Sequence, residues 1–127
     1  MTTLRIMGST IVLIGLVSLS PAALADAPQA LATATRHAGM AAAADDIAGA
    51  RRHLHHALNC LVGPNGEGFD EAAGNPCSDA GGAIPQTTAA QIRDSLQQVA
   101  MNVRDALENG DLAGIRNVAL STQETLE

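Results

Sequence analysis

The chain has 127 residues and a formal net charge of −6; 46% of its residues are apolar, 1% are aromatic, and it contains no tryptophan, tyrosine or lysine. So acidic a chain repels nucleic acid and anionic lipid, and a chain without lysine forms no Schiff base. With Phe69 as its one aromatic residue, the core must come from Leu, Ile, Val, Met and Ala, which suits close-packed helices and excludes a typical sandwich or barrel.

The N-terminus carries Arg5, an uncharged run from Ile6 to Leu19, then Pro21 and Ala23-Leu24-Ala25. The run is short for a bilayer span, and the small-x-small end is what signal peptidase cleaves after. Residues 1–25 are therefore expected to be a cleaved signal peptide, leaving a soluble periplasmic or secreted domain over 26–127 that has no membrane association and begins at Asp26. About a hundred residues is enough for one small domain with one core.

From Pro28 to Val62 alanine is dense, and Met40, Ile47, Leu54 and Leu61 recur every seven residues on one helical face. The spacing predicts a long helix over about 28–62, roughly 50 Å if continuous at 1.5 Å per residue. Gly39, Gly49 or Asp45-Asp46 are places where it could divide, with Asp46 as the N-cap of a second helix starting at Ile47. Gly63-Pro64 ends the helix, and residues 63–85 read as a loop rich in Gly, Pro, Asn and acid. So long a loop needs fastening. Cys60 and Cys77, an even pair in an exported chain, are expected to form a disulfide that supplies it, worth about 3 kcal/mol in the chain-entropy model.

Thr87 or Thr88 can cap a helix over about 87–109, with Ile92, Leu96, Val99, Val103 and Ala106 or Leu107 on its apolar face. Asn109-Gly110-Asp111 reads as a left-handed stop followed by an N-cap, and Leu112, Ile115, Ala119, Thr122 and Leu126 mark a last helix over about 112–126. The expected fold is all-α: an antiparallel three-helix bundle, four if the first helix divides, with one disulfide-fastened Gly-rich loop. No internal repeat is evident.

The segment "ARRHLHHALNCLVGP", residues 50–64, holds three of the four histidines and one of the two cysteines. With Leu54 at the centre of the buried face, His53 and His55 lie about 100° away on opposite flanks, and His56 about 160° away, toward water. His53 and His56 are a chelating i, i+3 pair, and Cys60 lies between them in angle one turn later. Imidazole and thiolate suit Zn(II), Cu or Ni, but a disulfide at Cys60 leaves imidazole alone. His55 and His37 are the remaining candidates to complete a site across helices or between chains. His37 is about 27 Å from His55 along a straight helix, so the helix must fold back for these two to share an ion. Metal binding is expected to weaken as pH falls through about 6.5, where imidazole protonates.

His37 and Met40 form an i, i+3 pair of a kind that serves copper or haem iron, although Met40 repeats the apolar period and reads as core. The bland reading of "HLHH" is a helix C-terminus that favours basic groups. The loop acids Glu67, Asp70, Glu71 and Asp79 lack the spacing of a calcium loop, and Arg104 is expected to pair with Glu108 along its helix. No nucleophile elbow or phosphate loop appears, so an enzyme is not expected.

"HLHHALNCLVGPNGEGFD" together with "NPC" and "GGAIP" resembles a group of small exported helical proteins of Gram-negative bacteria. That resemblance implies an exported helical protein in which the histidines and two cysteines form a unit, and it implies no activity. The alanine-rich helices and "ALENGD" turn are more loosely similar to periplasmic bundle proteins of the cytochrome b562 type. Such a haem protein needs a histidine on its last helix, and none follows His56, so haem is not expected. The functional expectation is a periplasmic binding protein holding a Cu, Ni or Zn ion. The alternative is a non-catalytic structural or interaction module with boundary histidines and a protein partner or a second copy.

Overall fold

The computed structural model describes residues 22–127, with side chains from residue 27 onward. The apolar run Ile6–Leu19, on which the signal-peptide reading rests, lies outside the described residues. Among the described residues no helix is long and apolar enough to cross a membrane.

The fold is all-helical. Its elements are α1 (Ala22–Ala42), α2 (Ile47–Val62), the single turn α3 (Ala83–Gln86), α4 (Ala90–Asn109) and α5 (Leu112–Leu126). The long helix expected over 28–62 is divided. It begins earlier, with Pro28 inside α1, and it breaks after Ala42, where Asp46 adopts an extended conformation and accepts a hydrogen bond from the Gly49 amide at 2.8 Å. An aspartate held this way satisfies one of the orphan amides of a new helix and lets the chain reverse. The four-helix form of the bundle is the one adopted.

The break also ends the seven-residue register. Leu54 and Leu61 are fully buried, but Met40 is 43% exposed and Ile47 42% exposed, because the stripe they would extend does not run through the turn. In place of Met40, α1 buries Ala30, Ala34, Ala38 and Ala41, all completely. Side chains this small allow the backbone of α1 to lie close against both α2 and α5, its main packing partners.

The last turn of α2 is buried on every side, from Leu58 to Val62, because the following loop wraps over the face that a bare helix would show to water. The loop's two ends meet backbone to backbone: Gly63 has φ 72°, and a Cβ on Gly82 would come within 2.5 Å of the Gly63 nitrogen. Only glycines fit so close an approach. The expected Cys60–Cys77 disulfide is present, with Cα atoms 5.2 Å apart. Inside the loop, Glu67 takes Arg104 at 2.7 Å, so the arginine reaches across to the loop rather than along its own helix to Glu108.

Three further expectations are corrected at α4 and α5. Helix α4 starts at Ala90, with Ala89 at the N-cap position and no side-chain cap, so neither Thr87 nor Thr88 serves; Thr87 instead donates its hydroxyl to the Ala83 carbonyl at 2.8 Å. Ile92, in that uncapped first turn, is exposed. Gly110 has φ −78°, not a left-handed conformation; a Cβ there would lie 2.5 Å from the Ala106 carbonyl oxygen, so closeness rather than handedness selects glycine. Asp111 caps α5 by accepting from the Gly114 amide at 2.8 Å.

The two hairpins grip one another reciprocally. Arg51 of α2 donates to the carbonyls of Leu107 and Gly110 at the end of α4. Arg116 of α5 donates to the Ala42 carbonyl at the end of α1. Each arginine stands five residues after a capping aspartate, in Asp46-Ile-Ala-Gly-Ala-Arg51 and Asp111-Leu-Ala-Gly-Ile-Arg116. This six-residue phrase is an internal repeat that the sequence reading missed, because two short matches among many alanines do not stand out until their shared role is seen.

Candidate metal centre

The reversal after Ala42 brings His37 of α1 opposite His53 and His56 of α2. Each stands one position before a fully buried residue of the seam: His37 before Ala38, His53 before Leu54, His56 before Ala57. In an antiparallel helix pair the like flanks of the two stripes meet on one rim, so three residues on that flank converge. His55 follows Leu54 and is carried to the other rim.

One ring nitrogen from each of His37, His53 and His56 lies within 4.8 Å of the other two. Nδ1 of His37 and Nδ1 of His53 are 3.4 Å apart. That is long for an N–H···N hydrogen bond, yet it is the separation of two nitrogens each about 2.0–2.1 Å from one tetrahedral ion, about 3.3 Å. The His37 and His56 rings meet edge to face, with centroids 4.8 Å apart. Three half-buried imidazoles so arranged can hold a metal ion.

Burial and neighbouring charge favour the neutral form at His37 and His53. The His37 pKa is lowered to about 4, first by burial and then by His56, His53 and Arg36. That of His53 is lowered by burial, His56 and Arg52. Neutral imidazole is the form that binds metal, so proton competition at His37 is postponed well below the pH 6.5 expected for a free ring. His55 is also lowered, by burial above all, against the opposing charge of Asp70.

His56 departs most from the sequence reading. Instead of pointing into water it is covered by the loop, and its Nε2 lies 2.7 Å from the Ala73 carbonyl oxygen. A carbonyl only accepts, so Nε2 carries the proton and Nδ1 the lone pair. That Nδ1 is buried and has no hydrogen-bond partner.

Of the four histidines picked out from sequence, the structure thus groups three and leaves His55 outside. Cys60 is committed to its disulfide and contributes no thiolate. Met40, three residues after His37, is largely exposed rather than core. The loop acids form no group with these histidines, and Asp70 instead accepts from the Ala72 amide within its own turn. Asn59 was missed. It is fully buried, donates to the carbonyls of Asp70 and Gly74 at 2.7 and 2.8 Å, and accepts from the Asp70 amide at 3.0 Å. Only the direction of the loop explains its burial, and no local pattern announces it. Comparison with protein families, curated proteins and solved structures gave no match for this chain.

Proposed function

We propose that this protein is an exported binding protein that holds one transition-metal ion, Zn(II), Cu(II) or Ni(II), through His37, His53 and His56. The observation that carries the reading is the convergence of three ring nitrogens within 4.8 Å across two separate helices. Chance pairs at i, i+3 on a single helix are common, but a third ring delivered from the opposite helix needs the alanine seam and the turn together. An all-nitrogen donor set suits these borderline ions better than calcium or magnesium, which take oxygen. The disulfide is compatible with a periplasmic or secreted location.

The test is calorimetric titration of the wild type and of single alanine variants at all four histidines with Zn(II), Cu(II) and Ni(II). The wild type is expected to bind one ion. Loss of His37, His53 or His56 should each weaken binding, and loss of His55 should not. Wild-type binding no tighter than about 100 μM, only about −5.5 kcal/mol, would instead favour the interaction module.

A further inference from the structure

The loop that follows α2 does more than cover a helix end. Asn59 clamps it at Asp70 and at Gly74, and the Cys60–Cys77 bond fastens it one residue further along α2. Between the two clamped points lies Ala73, whose carbonyl meets His56 Nε2. Gly74 carries φ 94°, and a Cβ there would stand 3.2 Å from the same Nε2, so a side chain at this position would crowd the ring.

We propose that the segment Asp70–Gly74 is the outer shell of the metal site. In it the Ala73 carbonyl fixes His56 as the Nε2–H tautomer and thereby assigns Nδ1 as its metal ligand, and Asn59 is the positioning residue that holds that carbonyl in place. This inference rests on the metal-binding reading and adds to it. Three observations support it independently of any ion. The acceptor is a carbonyl, which permits no other tautomer. The nitrogen left with the lone pair is buried and unpartnered. The carbonyl is not on a free loop but between two hydrogen-bonded anchors. Metal-binding histidines commonly donate their second ring N–H to a carbonyl, and loss of that partner weakens metal binding about 10- to 100-fold. The loop therefore supplies affinity without touching the ion.

The experiment uses the full exported domain in three forms: wild type, Gly74→Ala and Asn59→Ser. Nitrogen-15 correlation spectra of the metal-free proteins at pH 7.5 report the tautomer of each histidine, Zn(II) titration reports affinity, and far-UV circular dichroism reports helix content. Wild-type His56 should be the Nε2–H form. In both variants it should become a mixture of tautomers, Zn(II) affinity should fall about 10- to 100-fold, and helix content should be retained. If Asn59→Ser loses its helices, Gly74→Ala, which leaves the core and the disulfide intact, decides the matter. A wild-type His56 in the Nδ1–H form overturns the inference, as does a Gly74→Ala protein whose tautomer shifts while Zn(II) binds as in the wild type. A wild type with His56 held as Nε2–H that binds no Zn(II) overturns the metal reading instead, and leaves the placement of His56 by the loop supported.

Discussion

The second helix of the α1–α2 hairpin opens with Asp46-Ile-Ala-Gly49-Ala-Arg51, and that of the α4–α5 hairpin with Asp111-Leu-Ala-Gly114-Ile-Arg116, 65 residues further on. The turns do the same work: an aspartate cap on the glycine amide three residues later, and an arginine that reaches to the other hairpin's carbonyl end. Shifted by the same 65 residues, the buried Ala34, Ala38 and Ala41 fall on Val99, Val103 and Ala106, which are also buried. Ala50, Leu54 and Ala57 likewise fall on Ile115, Ala119 and Thr122. The three histidines fall on Asn102, Val118 and Ser121, which line an open groove between α4 and α5. One hairpin plan thus carries two different rims. The plan places side chains on a rim together, and residue identity, with the loop over α2, decides what that rim can bind.

The largest test of this comparison is transplantation. Asn102→His, Val118→His and Ser121→His in one protein should raise Zn(II) stoichiometry from one to two in calorimetry, the second ion binding about 10- to 100-fold more weakly because no loop carbonyl orients its ligands. A stoichiometry of one would mean that the alanine seam, not the shared plan, sets the spacing.

The seam itself is probed by Ala38→Leu. Overpacking a fully buried position costs about 1–3 kcal/mol, measured by urea unfolding, and the same change should weaken metal binding by moving His37 away from His53. The reciprocal arginines should be unequal. Arg51 is partly buried and serves two carbonyls, whereas Arg116 is exposed and serves one. Charged hydrogen bonds of the first kind are worth about 1.5–3 kcal/mol, so Arg51→Met should destabilise more than Arg116→Met.

The pH dependence follows from His37, whose pKa lies at about 4 in the fold against 6.5 for the free group. Between those values the unfolded chain binds more protons, so this contribution to stability is complete above pH 6.5 and is lost as pH falls toward about 4. The melting temperature of the metal-free protein should drop across that window, and His37→Asn, which copies Asn102, should flatten the drop. The smallest effects belong to the caps: Asp46→Ala and Asp111→Ala should each cost about 1 kcal/mol and by similar amounts.

Much of the fold is local and was readable as such. The periods of α4 and α5, the acid caps and the cysteine pair are all short-range patterns, and Asp46 was identifiable as the point where the first helix can divide. Whether it did divide was not readable, because the unbroken seven-residue spacing of Met40, Ile47, Leu54 and Leu61 favours continuity as strongly as the cap favours a break. The site depended on that one decision. With a straight helix, His37 lies far from the others; with a hairpin, the flank rule selects His37, His53 and His56 and rejects His55. The cover over His56 and the burial of Asn59 come from a loop without periodicity, whose path is set by glycine contacts and hydrogen bonds between residues distant in sequence.

The central claim, that three imidazoles from two helices meet on one ion, is tested most directly by the X-ray absorption spectrum of the protein loaded with one equivalent of Zn(II). Three imidazole nitrogens at about 2.0–2.1 Å, with a remaining light ligand and no sulfur, is the expected result. A sulfur scatterer, or a zinc shell with fewer than three imidazoles, would contradict it.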